Sequence, residues 1–304
     1  MLNEKTKIIV ILGPTASGKS ELAVKIALRL RSGQAKKYKG AEIISADSRQ
    51  VYKGLDIGSG KITQKEMQGI PHYCIDVASP KKIFTAQDFK KLGQKAISDI
   101  VGRRKIPIIC GGTGFYIDAL LGVKEIPEIP PDWPLRKKLE KKTTEELFRI
   151  LKKLNSRRTE NIDSKNRRRL IRAIEISESG DATSSRGRIS EYDALFLSLT
   201  HSPEILKKRI EKRVETMLKK GLIKEVKKLR AQSLSWKRIS ELGFEYKYPA
   251  LYLQKKISKE EMTESLKTQN WRYAKRQMTW FKRNPNIYWI KSSTEAKKLI
   301  KEFV

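Results

Sequence analysis

Gly13-Pro-Thr-Ala-Ser-Gly-Lys-Ser20 is a glycine-rich stretch that follows the apolar run Ile8-Ile-Val-Ile-Leu12 and precedes an amphipathic helical pattern ending near Leu30. It fits G-x-x-x-x-G-K-[ST] at every fixed position, in the strand-loop-helix context that this pattern requires. The glycines let successive backbone N–H groups point inward, Lys19 adds a charge, and the helix N-terminus adds the positive end of its dipole. The stretch therefore predicts a P-loop, an ATP-binding and nucleotide-binding signature that cradles two linked phosphates, without identifying the phosphate compound.

Strand-like apolar runs alternate with helical patterns through the first part of the chain. A helix is predicted from Phe84 to Val101, and the glycine turn Gly111-Gly-Thr-Gly-Phe-Tyr116 leads into another. The predicted strands are Ile8–Leu12, Ala41–Ser45, His72–Val77 and Ile106–Cys110. Because such alternation is typical of α/β proteins, we expect a P-loop NTPase-like parallel sheet flanked by helices.

The alternation stops near Val123, where the sequence becomes first proline-rich and then helical and basic. Strand character returns at Tyr192–Thr200, which indicates that the sheet resumes there. We therefore predict a P-loop core over 1–122, an all-helical insertion over 123–191, and completion of the core with basic C-terminal helices over 192–304. Local signals within these parts are the capping boxes Thr143-x-x-Glu146 and Ser258-x-x-Glu261, the helix start Ser202-Pro203, a last long helix ending near Phe281, and a closing strand at Ile287–Ile290.

The charge balance is strongly basic. Lys and Arg number 66 against 34 Asp and Glu, a formal net charge of +32. A field of that size favours a polyanionic partner, with RNA or DNA ahead of an anionic membrane, although basic solvated helix faces are the alternative. The chain has no apolar run near the ~20 residues that span a bilayer and no signal peptide, so we expect a cytoplasmic protein.

Two positions beside the predicted phosphate site carry reactive side chains. Asp47 follows the second strand, at the sheet edge where open α/β sheets bind ligands. A carboxylate there either holds Mg²⁺ or takes a proton from a reacting group, unless it only caps the next helix. Thr113 offers a hydroxyl within the second glycine turn, and a plain helix-entry turn is the alternative.

Two basic segments suit contact with nucleic acid. Arg168 and Arg172 share one face of a predicted helix within Asn166-Arg-Arg-Arg-Leu-Ile-Arg172 and repel each other unless an anion lies between them, or the face is simply solvated. The last long helix mixes Trp271, Tyr273 and Trp280 with Lys and Arg, a pattern suited to RNA phosphates and unstacked bases. The same aromatic side chains could instead fix the helix to the core.

Together these residues make the chain resemble the tRNA dimethylallyltransferases, also called the tRNA isopentenyltransferase family, over nearly its whole length. Asn270-Trp271 departs from the Thr-Arg usual in that family. The matching blocks are Gly13 to Ser20, Ile44-Ser-Ala-Asp-Ser-Arg-Gln-Val-Tyr52, Asp56-Ile-Gly58 with Lys61, Gly69-Ile-Pro-His72, Gly111-Gly-Thr-Gly114, Arg169-Leu-Ile-Arg-Ala-Ile-Glu175, Arg209-Ile-x-x-Arg-Val-x-x-Met217, Gly221-Leu-Ile-x-Glu-Val226 and Tyr273-Ala-Lys-Arg-Gln-Met-Thr-Trp-Phe281.

The resemblance implies a prenyltransferase of tRNA modification that moves a dimethylallyl group from its diphosphate to N6 of the adenosine immediately 3′ of the anticodon, with Mg²⁺. Its implied catalytic residues are Asp47, as proton acceptor, and Thr113. The diphosphate would be bound by Gly13, Pro14, Thr15, Ala16, Ser17, Gly18, Lys19, Ser20 and Arg213, with Ser20 toward the metal. The tRNA anticodon stem-loop would be bound by Asp47, Ser48, Arg49, Gln50, Thr113, Arg136, Arg168, Arg169, Leu170, Ile171 and Arg172.

Two other classes of function remain open at this point. The P-loop alone is equally an ATP site, so a small-molecule or nucleotide kinase is the first alternative, although a kinase does not need a basic insertion or an aromatic-basic last helix. An RNA-binding protein without activity is the second. We expect a monomer with no membrane partner.

Overall fold

The computed structural model describes residues 5–32, 37–123, 126–127, 129–180 and 191–304. The chain divides into two compact units, one formed by Met1–Val123 and Ile189–Val304 and the other by Lys124–Arg188. The predicted insertion, 123–191, spans the second unit. No described helix has both the length and the apolar character needed to cross a bilayer.

The first unit is built on a parallel sheet, as predicted. The strand order is β3-β2-β4-β1-β5-β6, so β1 lies inside the sheet between β4 and β5. The strands are β1 (Thr6–Leu12), β2 (Ala41–Ser45), β3 (His72–Tyr73), β4 (Ile106–Gly111), β5 (Tyr192–Leu199) and β6 (Ile287–Ile290). All pairs are parallel, which requires a crossover between neighbouring strands.

Helices supply these crossovers and form the second unit. The described helices are α1 (Lys19–Arg31), α2 (Gln64–Met67), α3 (Ala86–Gly102), α4 (Gly114–Leu120), α5 (Trp133–Leu139), α6 (Thr144–Leu154), α7 (Ser156–Thr159), α8 (Arg167–Glu178), α9 (Pro203–Lys219), α10 (Leu222–Ala231), α11 (Trp236–Glu241), α12 (Phe244–Leu253), α13 (Lys259–Phe281) and α14 (Ser293–Phe303). The predicted caps are confirmed at Thr143, Ser202 and Ser258, each of which accepts a backbone N–H of its helix.

Both faces of the sheet are buried, which explains why β1 is apolar without alternation. Ile8 and Val10 pack in a cluster that includes α3, α4 and α10 to α12. Ile9 and Ile11 pack in a second cluster that includes α1 and α14. The loop after β1 is therefore held by a strand fixed on two sides.

The predicted third strand is too long. Pairing in β3 ends at Tyr73 because Cys74 and Asp76 adopt φ values of 62° and 55°, in the left-handed region that a strand excludes. Beyond this break the chain pairs with a loop instead, since the Asp76 N–H donates to the Gln50 carbonyl at 3.1 Å.

The second unit has an apolar core of its own. Leu147, Leu151 and Ile174 are fully buried in it, on α6 and α8. Leu170 and Ile171 belong to the same core, with exposed fractions of 0% and 8%. Their predicted contact with tRNA stays a prediction, and it would have to involve the backbone because both side chains fill this core.

Candidate active site

A cavity of about 320 Å³ lies where β1, β2 and β4 end at their carboxyl termini. Its size falls in the range of small-molecule sites, and the position is the ligand edge of a parallel sheet. Its wall includes Lys19, Ser20, Asp47 and Arg213, so the predicted groups from three separate chain segments meet here.

The P-loop contributes one part of this wall. Thr15, Ala16, Lys19 and Ser20 line the cavity, and Lys19 Nζ donates to the Pro14 carbonyl at 3.3 Å. The other predicted loop residues, Gly13, Pro14, Ser17 and Gly18, are absent from the lining and form the body of the loop.

The electrostatics of Lys19 favour an anion. Burial lowers the pKa of its ammonium, and the nearby guanidinium of Arg213 acts in the same direction, whereas Cys110 and Asp47 oppose both. A phosphate oxygen beside Lys19 would favour the charged form, because an opposite charge at short range stabilises the ammonium.

Asp47 lies in a turn and not before a helix. Its Oδ1 accepts the backbone N–H of Arg49 at 2.8 Å and that of Gln50 at 3.4 Å. The alternative of a helix cap is therefore replaced by an Asx-type turn, which uses only one carboxylate oxygen. Oδ2 takes no part in the hydrogen bonds of this turn.

Thr113 contacts the same turn from the second glycine loop. Its Oγ1 accepts the Ser48 N–H at 3.1 Å, and its own N–H donates to the Ala46 carbonyl at 3.1 Å. Tyr273 also lines the cavity, and its pKa is raised by burial and by the charge of Asp47. Thr113 therefore fixes the Asp47 turn to the end of β4.

The residues after Asp47 that are predicted to contact RNA also make contacts within the protein. The side chain of Gln50 donates to the Gly60 carbonyl at 3.3 Å. Arg49 and Ser48 line the cavity, where the Arg49 guanidinium lies near Gly243.

Arg213 reaches the cavity from α9. Its Nη2 donates to the Ser59 carbonyl at 3.3 Å, and the guanidinium lies so close to Gly60 that a Cβ there would clash with it. Its Nε is buried and has no hydrogen-bond partner among the described residues. A buried donor without a partner is costly. The residue itself lines the cavity, where its guanidinium is available to an oxyanion.

Sequence reasoning missed two polar groups of this wall. Gln277, on α13, joins the P-loop to the second glycine turn through its amide. Glu245, on α12, has its pKa raised to about 7 by burial, with Arg49 and Arg213 opposing the shift. For Gln277 a signal existed: helical spacing places it on one face with Tyr273 and Trp280.

The predicted basic face of the second unit is organised by a buried carboxylate. Glu175 is 2% exposed and accepts from Arg136 Nε and Nη2, both at 2.8 Å, and from Arg172 Nη1 at 2.5 Å. The anion that the sequence required beside Arg172 is thus part of the chain. Arg168 and Arg169 are exposed.

Three aromatic side chains of α13 pack against other parts of the protein. Phe281 is buried in the core, and Trp280 packs against that core while meeting Phe115 edge to face. Trp271 packs with Ala16 of the P-loop against a small cluster on α9. For these side chains the alternative of fixing the helix to the core is the better description.

Comparison with known proteins identifies the family of this chain. A sequence model of the IPP transferase family matches residues 50–284. The chain belongs to the IPP transferase family. A tRNA dimethylallyltransferase of Acetivibrio thermocellus is 41% identical over 293 residues, covering 93% of this chain and 91% of that protein. One of Staphylococcus epidermidis is 41% identical over 304 residues, covering 95% and 88%.

Solved structures agree with the family assignment. The full-length tRNA isopentenylpyrophosphate transferase of Bacillus halodurans superposes with a TM-score of 0.72 at 35% identity, covering 98% of this chain and 95% of that one. A eukaryotic dimethylallyltransferase acting on tRNA gives a TM-score of 0.76 at 28% identity, covering 90% and 69%. The superposition on the Bacillus halodurans structure, which covers 98% of this chain, extends beyond the residues 50–284 that the family model matches.

Proposed function

We propose that this protein transfers a dimethylallyl group from dimethylallyl diphosphate to N6 of the adenosine immediately 3′ of the anticodon in tRNA, giving N6-dimethylallyladenosine. The observation that carries the proposal is the placement of Asp47 in one cavity with Lys19 and Arg213, in a chain of the IPP transferase family. A base beside an anion cradle suits a reaction that removes a proton and releases a diphosphate.

In the proposed reaction a C–N bond forms between N6 and the allylic carbon while the C–O bond to the diphosphate breaks. The leaving oxygen keeps the electron pair, and Lys19 and Arg213 stabilise the charge that develops there. The N6 proton passes to Asp47 Oδ2, because an adenine amine is a weak nucleophile until it loses a proton. Thr113 keeps the Asp47 turn in place.

The apolar part of the cavity suits the prenyl group. Ile62, His72 and Ile75 line both this cavity and a neighbouring one of about 710 Å³. We propose that the dimethylallyl carbons lie against Ile62 and Ile75, whose side chains exclude water from the allylic carbon.

The donor atoms fit Mg²⁺. Ser20 and Asp47 present a hydroxyl and a carboxylate to the same cavity, and oxygen ligands are the ones that Mg²⁺ takes. Within the described part of the chain no three His, Cys, Asp or Glu side chains form a metal cluster. We propose that Ser20 holds Mg²⁺ together with oxygens of the substrate diphosphate, where the ion would neutralise leaving-group charge.

For the RNA, the net charge of +32 supplies long-range attraction, and the exposed Arg168 and Arg169 supply phosphate contacts. A buried adenine amine has to leave its stack to reach the cavity, as in other enzymes that modify bases. We propose that the protein acts on tRNA in the cytoplasm, as a monomer.

The decisive experiment incubates the protein with labelled dimethylallyl diphosphate or labelled ATP, each with and without tRNA. We expect label in RNA only from the prenyl donor. Phosphate transfer from ATP to a small molecule, with no prenyl transfer, would replace the proposal by the kinase alternative.

A variant tests the role of Asp47 in the same assay. Asp47→Asn keeps the turn, because an amide oxygen accepts the same N–H groups, but it removes nearly all proton affinity. General-base catalysis is typically worth 10²- to 10⁴-fold, so we expect the single-turnover rate with saturating tRNA to fall by about that factor. A variant within about threefold of the parent would remove Asp47 from the mechanism.

A further inference from the structure

Gln277 is a buried amide that touches both glycine turns of the site. Its exposed fraction is 5%, although it lies on a helix whose neighbouring positions are largely polar. Its Oε1 accepts the Thr15 N–H of the P-loop at 2.9 Å, and its Nε2 donates to the Gly112 carbonyl at 2.8 Å. Both hydrogen-bonding ends of the amide are therefore used, each on a different loop.

The packing around this amide allows little freedom. A Cβ added to Gly112 would lie 2.2 Å from Gln277 Nε2, so the backbone there approaches the amide as closely as only a glycine permits. One turn further along α13, Trp280 lies equally close to Gly114. Two side chains of α13, Gln277 and Trp280, therefore pack directly against the second glycine turn.

The contacts continue from this turn to the proton acceptor. Thr113 follows Gly112 directly and accepts the Ser48 N–H, and Ser48 follows Asp47. A continuous path therefore runs from the P-loop, through the Gln277 amide, to the turn that carries Asp47. The loop at one end of this path would hold the leaving group, and the residue at the other end would take the proton.

We propose that Gln277 is the positioning residue that sets the distance between the diphosphate-binding loop and the Asp47 turn. This inference rests on the proposed function. Its chemical requirement is an acceptor toward Thr15 and a donor toward Gly112, which a side-chain amide meets and a carboxylate does not. Reaction rates depend steeply on such spacing, since a displacement of about 1 Å can cost 10²-fold.

The test uses Gln277→Glu, which has the same shape. One carboxylate oxygen can still accept the Thr15 N–H, but the other faces the Gly112 carbonyl with no proton to donate. At pH 7.5 we expect kcat to fall roughly 10- to 100-fold, with the KM for the prenyl donor within about threefold. Lowering the pH protonates the introduced carboxyl and restores the donor, so the ratio of variant rate to parent rate should rise toward pH 5.5.

Two further variants serve as controls for the pH dependence of the rate ratio. Gln277→Met removes both hydrogen bonds and should lose rate by a similar factor with no recovery in acid. Gln254→Glu, at the residue that follows α12, adds the same charge where the side-chain amide bonds only that helix, to the Ala250 carbonyl at 3.0 Å, and should behave as the parent. The charged groups that share the cavity are unchanged in every variant, namely Lys19, Asp47, Arg49, Arg213, Glu245 and Arg276.

Melting curves measured by circular dichroism at each pH separate a lost fold from a lost rate. If Gln277→Glu does not fold, Gln277→Met carries the test through its loss of kcat at near-constant KM. If the parent is active, a kcat of Gln277→Glu within threefold of the parent value would overturn this inference and leave the proposed function standing. A ratio of variant rate to parent rate that does not change with pH would do the same. A parent with no prenyl transfer would overturn the proposed function and this inference with it.

Discussion

Gly60 and Gly54 form a matched pair on the loop that borders the cavity. Both have positive φ, +57° and +74°, so alanine is strained at either position. Their surroundings differ. A Cβ on Gly60 would lie 2.1 Å from Arg213 Nη2, whereas a Cβ on Gly54 has nothing within 4 Å. Replacing each glycine by alanine therefore isolates the contact with Arg213 from the backbone strain.

The structure sets the size of the expected effect. Both variants should lose about 1 to 2 kcal/mol of stability from left-handed backbone strain. In Gly60→Ala the guanidinium must also retreat by about 1.3 Å to reach the ordinary contact distance of 3.4 Å. A charge-assisted hydrogen bond is worth about 1.5 to 3 kcal/mol, so losing the one from Arg213 to the diphosphate should lower kcat/KM for the donor roughly 10- to 100-fold.

Steady-state prenyl transfer and urea unfolding of both variants provide the measurement. We expect Gly54→Ala to keep parent activity at reduced stability, and Gly60→Ala to lose both. In an Arg213→Ala background, Gly60→Ala should have no further effect on activity, because the group that it displaces is absent. Equal activity of the two glycine variants would refute the assignment of Arg213 to the leaving group.

Two other predictions follow from the charges. Arg168→Ala with Arg169→Ala should weaken tRNA binding and make the slope of log binding constant against log salt concentration shallower by roughly 1.5, at ~0.7 to 0.9 per contact, and an unchanged slope would make these two residues a solvated face. Arg172→Ala should instead mainly lower stability, because its partner Glu175 is buried. Glu245, with its pKa raised from the ordinary 4.5 to about 7, stays protonated in the fold while the unfolded chain releases its proton, so the parent loses stability as pH rises between these values. Glu245→Gln should therefore match the parent near pH 4 and exceed it by about 1 to 3 kcal/mol at pH 8 in urea unfolding, and a constant difference across that range would contradict the raised pKa.

Local chemistry made much of the fold predictable. Continuous apolar runs identified β1 and β4, because a strand buried on both faces needs no polar positions. Capping boxes identified helix starts such as Thr143, since the hydrogen bonds of a cap join residues only three apart. The extent of β3 was not predictable, because what ends it is pairing of the Asp76 and Ala78 N–H groups with the distant loop at Gln50 and Val51.

Some residues of the site could likewise be predicted from the sequence, and others could not. Lys19 stands in a contiguous motif, and Asp47, Thr113 and Arg213 came from strand ends and from the family resemblance. Gln277 could not be assigned from pattern alone, because its partners lie 262 and 165 residues away in the chain. Helical spacing with Tyr273 and Trp280 could place Gln277 on their face of the helix, but only the folded arrangement reveals the two loops that its amide bridges.

Glu175 changes how the basic residues of the second unit should be understood. A carboxylate that is 2% exposed needs cationic partners to remain ionised. Arg136 and Arg172 meet that need through three hydrogen bonds. Burial alone would raise the pKa of Glu175, but these two partners lower it. The two arginines are therefore held in fixed directions by a group of the protein itself, and the trio keeps one net positive charge. Removing either arginine would leave the buried Glu175 with one cationic partner in place of two and would disturb this unit, so a loss of tRNA binding in such a variant would not by itself indicate a contact. The exposed Arg168 and Arg169 are the residues whose substitution reports on RNA without this ambiguity.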